Sequence, residues 1–90
     1  MKRLHLIVSG LVQGVFFRAH IKSWSSELKL IGWAKNLKSG ELEIVAEGSE
    51  KNLNELLKRI KKGTPMSKVK NIKKNWNEPL KKFDTFEIRH

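Results

Sequence analysis

The stretch VSGLVQGVFFR, residues 8–18, carries the reading of this chain. Before it, Leu4, Leu6 and Val8 alternate with Arg3, His5 and Ile7, the period-two pattern of a strand buried mainly on one face. After it, Phe17, Ile21, Trp24 and Leu28 recur at helical spacing, with Arg18, Lys22, Ser25 and Lys29 elsewhere on the wheel. Between the two periods lies a glycine-bearing turn, Gly10 to Val15. The stretch is thus a strand-to-helix junction that ends in an arginine. Glycine at position 14 lets the backbone take positive φ and approach a ligand closely. A helix beginning at such a turn presents amides that no helical carbonyl satisfies, and its dipole adds positive potential. A concave row of amides of this kind binds an anion. Arg18 adds a planar fork suited to two phosphate oxygens, at a helix end where the dipole disfavours a cation.

The remaining elements follow from the same rules. Ile31–Asn36 reads as a strand, Lys38-Ser39-Gly40 as a turn, and Glu41–Glu47 as a second strand with Leu42, Ile44 and Ala46 on one side and Glu41, Glu43 and Glu47 on the other. Ser49 is an N-cap and Glu50 suits a first helical turn. Leu53, Leu56, Leu57 and Ile60 form the stripe of the second helix, which Gly63 and Pro65 close. Val69, Ile72 and Trp76 break strict alternation by one residue, so the next strand carries a bulge. Asn77 to Pro79 is a loop, and Phe86 with Ile88 makes a short final strand. Strand, helix, strand, strand, helix, strand, with a last strand appended, predicts an α+β ferredoxin-like sandwich: an antiparallel sheet with two helices on one face, in a single domain spanning 1–90. In that topology the first two strands run parallel with the third between them. Their carboxyl ends then share one end of the sheet, which brings the Gly10–Val15 turn to within about two strand spacings, roughly 10 Å, of Asn36.

Composition sets the outer limits. Ninety residues make one core. No cysteine is present, which excludes disulfides, thiolate metal sites and a cysteine nucleophile. The N-terminus lacks the apolar run of a signal peptide, and no segment reaches membrane-spanning length, so a cytoplasmic location is expected. The net charge of +10 suits anionic partners, and equally a well-solvated surface. The three histidines share no metal-ligand spacing, Asp84 is the only aspartate, and the glutamates do not cluster, so neither a metal nor another cofactor is expected. Trp24, Trp33 and Trp76 read as packing residues.

The turn is neither a Walker loop nor a dinucleotide fingerprint. It has the outline of a phosphatase loop, five residues and then arginine, yet Val12 and Gln13 stand where a nucleophile would be. Any hydrolysis must use water directly. Residues 8–18 resemble the signature V-x-G-x-V-Q-G-V-x-F-R of the acylphosphatases. Gly32-Trp33-Ala34-Lys35-Asn36 is similar to that family's G-W-V-x-N, and Gly40, Glu43, Glu47 and Gly48 fall where its D-G-x-V-E-x-x-x-x-G expects them. Pro65, Val69, Trp76 and the terminal Phe86-Glu87-Ile88-Arg89 extend the match over essentially the whole chain. The resemblance implies a cofactor-free hydrolase that splits acyl phosphates into a carboxylate and phosphate. It implies that Gln13, Gly14, Val15, Phe16, Phe17 and Arg18 hold the phosphoryl group, that Arg18 and Asn36 are catalytic, and that Asn36 orients the attacking water. It further implies a monomer acting on a small molecule, with inorganic phosphate as product and inhibitor. Lys29 stands where the family has glycine at the end of the first helix, Ser39 replaces aspartate, Ala34 replaces valine, and Phe16 fills the variable loop position.

Two rival functions fit the same topology. RNA-recognition modules share it but present aromatics on the third strand, which here is acidic and has none. The lysines from Lys58 to Lys82 leave a basic nucleic-acid-binding module as the alternative. A catalytically silent interaction domain would require damage at Arg18 or Asn36, and both are intact.

Overall fold

The computed structural model describes residues 1–90. Its elements, in chain order, are β1 (Lys2–Leu11), α1 (Phe17–Glu27), β2 (Ile31–Asn36), β3 (Leu42–Gly48), α2 (Glu50–Lys62), β4 (Lys68–Asn77) and β5 (Phe86–Arg89). They form one five-stranded sheet in the order β4-β1-β3-β2-β5. The architecture is the ferredoxin-like sandwich that the element order predicts. Leu4, Leu6 and Val8 of β1 pair with Ala46, Ile44 and Leu42 of β3, so the apolar residues of both strands share a face. Those residues join Phe17 and Ile21 of α1 and Leu53, Leu56, Leu57 and Ile60 of α2 in a single buried cluster. Both helices therefore lie on one face of the sheet.

Because β1 and β2 each pair antiparallel with β3, they run parallel to one another and end at the same end of the sheet. That shared end positions the site. β5 departs from the antiparallel scheme. It pairs in parallel with β2, with Gly32 opposite Phe86 and Ala34 opposite Ile88, so the sheet is mixed. The preceding segment explains this: residues 78–85 cross from β4 at one edge to the other edge, and β5 then runs opposite to β4, which is the direction of β2.

The bulge in β4 falls where alternation breaks. Ser9 pairs with Asn71 and Gly10 with Val69, which leaves Lys70 as the extra residue. Gly10 has φ of 126°, and a Cβ there would lie 2.1 Å from the Lys68 carbonyl oxygen. α2 is capped as its sequence predicts. Ser49 Oγ accepts from the Asn52 amide at 3.2 Å, Glu50 lies in the first turn, and Arg59, Lys61 and Lys62 lie in the last. Lys29 has φ of 57°, a left-handed conformation that costs a non-glycine residue about 1 kcal/mol.

Glu47 behaves differently from the other β3 glutamates. It is fully buried, and its two carboxylate oxygens accept the amides of Leu80 (2.8 Å) and Lys81 (3.0 Å). The carboxylate thereby pins the crossover segment against the sheet. Glu43, by contrast, is half-buried and pairs with His5 Nε2 at 2.8 Å.

Candidate active site

α1 begins without the devices that cap α2. Its N-cap residue is Phe16, no side chain bonds the free amides, and no acidic residue occupies the first turn. The bare positive end therefore faces outward from the loop that precedes it. In that loop Gly14 (φ 70°) and Phe16 (φ 61°) are both left-handed. The amides of Gly14, Val15, Phe16 and Phe17 donate to no backbone carbonyl or side chain. A phenylalanine in this conformation carries about 1–2 kcal/mol of strain. The strained turn leaves a row of unspent donors at the helix start.

Gln13 fixes the loop in place. Its Nε2 donates to the carbonyl oxygens of Leu37 and Glu41, each at 2.8 Å. Both carbonyls belong to the turn between β2 and β3, so one side chain ties the end of β1 to the end of β2. The side chain's donors are thus committed to the protein, and only the main-chain amide of Gln13 is left to meet an anion.

Arg18, the second residue of α1, is held from the other side. Its Nη1 donates to the Arg89 carbonyl oxygen of β5 at 3.0 Å. Arg89 itself stacks its guanidinium over Trp33, 4.9 Å from the ring centroid. The bond spends one of five guanidinium donors and restrains a long side chain before any ligand arrives. Gly14, Phe16, Phe17 and Arg18 line a cavity of ≈ 380 Å³ together with Ile88 and His90.

Asn36 closes β2, one residue before the carbonyl that holds Gln13. It alternates with buried Ala34 and pairs with buried Leu42, which puts its side chain on the helix-bearing face. Its Oδ1 is buried and has no hydrogen-bond partner in the protein. Asn36 is not part of the cavity wall formed by the loop and β5. The structure thus sets Gly14, Phe16, Phe17 and Arg18 around one cavity, leaves Gln13 and Val15 outside its wall, and places Asn36 at the strand end beside the loop's anchor.

Sequence reasoning missed the contribution of β5. Ile88, Arg89 and His90 complete the cavity and hold the arginine, yet no local pattern distinguishes a parallel edge strand from an antiparallel one. His20, in contrast, packs beside Trp24 with centroids 5.8 Å apart and does not line the cavity.

In chemical terms the arrangement offers main-chain donors, one guanidinium and one unpaired amide, with no nucleophile at its centre. Comparison with known proteins gives the family. The family model described as Acylphosphatase covers residues 4–88. The chain is 41% identical to an acylphosphatase of Bacillus licheniformis over 90 residues, covering 100% of both. It is 39% identical to one from Coxiella burnetii over 87 residues, covering 96% of this chain and 90% of the relative. The crystal structure of acylphosphatase from Bacillus subtilis superposes with a TM-score of 0.95 at 38% identity, covering 100% of each chain. With fold, loop and full-length similarity in agreement, this chain belongs to the acylphosphatase family, enzymes that hydrolyse the carboxyl–phosphate bond of acyl phosphates.

Proposed function

We propose that Gln13–Arg18 holds the phosphoryl group of the acyl phosphate while water, oriented by Asn36, attacks phosphorus directly. The observation that carries this assignment is the row of amides from Gly14 to Phe17 that donate to nothing in the protein, beside a guanidinium already fixed by Arg89. Such donors are aimed at the equatorial oxygens, where charge spreads in the transition state. They act without reorganising, because Gln13 and Arg89 have set the geometry beforehand.

The step is simple to balance. A water oxygen forms the new bond to phosphorus as the bond from phosphorus to the acyl oxygen breaks. The leaving group departs as a carboxylate and needs no proton. The water's protons pass to a phosphoryl oxygen and to solvent, since an asparagine amide is no base. Asn36 Nδ2, the amide atom that is not buried, donates one hydrogen bond to that water's oxygen and so fixes the direction of its other lone pair. Without a covalent enzyme intermediate or a metal, inorganic phosphate binds where the substrate's phosphoryl group bound and inhibits competitively.

The whole reading is that of a single-domain, cytoplasmic monomer that uses no cofactor. No helix is long and apolar enough to cross a membrane. The test is hydrolysis of benzoyl phosphate in metal-free buffer, with inorganic phosphate titrated as inhibitor. Turnover with competitive inhibition supports the reading. Turnover that phosphate leaves unaffected overturns the assignment of the loop.

A further inference from the structure

The cavity at the loop is larger than a phosphoryl group alone would fill. Its ≈ 380 Å³ falls within the range of about 300–1,000 Å³ typical of small-molecule pockets. Five of its eight lining residues are hydrophobic. Val12 and Phe17 belong to the buried core and form its floor. Phe16, Ala19 and Ile88 remain as accessible apolar wall, from the loop, the first turn of α1 and β5. No Asp or Glu side chain lines it, and its polar side chains are those of Arg18, already assigned to phosphate, and His90. Phe16 is the most exposed large apolar side chain in the molecule, at 81%, and it stands in the strained left-handed conformation. A glycine or asparagine would hold the same loop turn with less strain. A strained aromatic displayed at the mouth of a binding site points to a role in binding.

We propose that Phe16, Ala19 and Ile88 form the subsite for the acyl group, and that they select acyl phosphates with an uncharged, apolar acyl chain. This inference rests on the placement of the phosphoryl group in the loop. Anchored there, the substrate has its acyl carbon chain directed along the apolar wall, where each methylene sheds water against Phe16 or Ile88. Full burial of a methylene is worth about 0.8 kcal/mol, or fourfold in affinity, so an open, half-covering wall gives about twofold per methylene.

The probe is a series of n-alkylphosphonates from methyl to hexyl, which bind but cannot be hydrolysed, titrated against the protein by NMR. Affinity is expected to rise about twofold per methylene, about thirtyfold across the series. A hexyl-length phosphonate ending in a carboxylate should lose most of that gain. Phe16→Asn, which tolerates the left-handed turn, should compress the thirtyfold span to about fivefold or less. Ala19→Gln, on an exposed helical position, should compress it independently. A flat series, a carboxylate-ended member that binds as tightly as hexylphosphonate, or spans unchanged in both variants would each overturn the proposal. An equal loss at every chain length in Phe16→Asn overturns the role of its ring. The hydrolytic reading is checked separately on acetyl and hexanoyl phosphate. Rising phosphonate affinity without turnover refutes catalysis and leaves the subsite standing.

Discussion

Replacing Asn36 by alanine should separate catalysis from stability in an unusual direction. The side chain is half-buried, and its Oδ1 is fully buried without a partner in the protein. A buried polar atom left unpaired costs about 1–3 kcal/mol. Truncation removes that penalty and forfeits packing of a half-buried side chain worth about 1 kcal/mol. The net lies between no change and a gain of about 2 kcal/mol. For a domain of this size each kcal/mol moves Tm by about 4–8 °C. Asn36→Ala is therefore expected to melt no lower than the parent, and about 8–16 °C higher when the penalty is at the upper end. Its kcat should fall by about 10²–10³, the effect of removing one oriented polar group from a transition state. The phosphate inhibition constant should stay within about threefold, because water is not part of the product complex. Calorimetry and steady-state hydrolysis of benzoyl phosphate read the two effects on the same sample. A Tm lowered by more than about 5 °C would show that Asn36 is structural. A near-normal kcat would end its role in positioning water.

The other residues make sharper, narrower predictions. Arg18→Ala should weaken phosphate inhibition and reduce kcat/KM by about 10²–10³, since the guanidinium meets the phosphoryl group in ground and transition states alike; an unchanged inhibition constant counts against it. Gln13→Ala removes both bonds that tie the loop to the turn after β2 and frees the loop, so both Tm and phosphate affinity should drop, whereas loss of activity at unchanged affinity would contradict the anchoring role. Phosphate titration should shift the backbone amides of Gly14, Val15 and Phe16 more than those capping α2, and equal small shifts throughout would indicate nonspecific binding to a basic protein. Activity should survive excess EDTA, because nowhere do three His, Cys, Asp or Glu side chains group to hold an ion; loss that zinc or magnesium restores would require a different mechanism.

Much of this could be read in advance where local chemistry and tertiary structure agree. The change of period across Val8–Phe17 marks the junction because the strand's alternation and the helix's stripe both point into the same core. Ser49, Gly63 and Lys70 lie at the cap, the helix end and the bulge for purely local reasons. The candidate site was legible as a loop, since a glycine turn at a helix start leaves amides free beside Arg18. What holds it was not. Gln13 could as well have faced the ligand, and only the fold shows that its amide is spent on the turn after β2. Arg89 meets Arg18 across 71 positions through a carbonyl, and a carbonyl has no signature in sequence. Glu47 alternates in step with Glu43, yet it is buried because the crossover segment lies over it.

That buried glutamate and the surface loop answer one electrostatic problem in two tenses. Each sets main-chain amides beside a left-handed residue: Lys81 at φ 55° around the Glu47 carboxylate within the protein, and Phe16 at φ 61° at the surface, where we propose the phosphoryl group binds. Inside, the anion is tethered to the chain and is present at an effective concentration no solute reaches, so the contact is permanent. Outside, the anion arrives untethered and must leave again as phosphate before the next substrate enters. The covalent tether is what separates a rivet from a catalyst. An amide cradle that gripped phosphate as lastingly as Leu80 and Lys81 grip Glu47 would complete one turnover and stop.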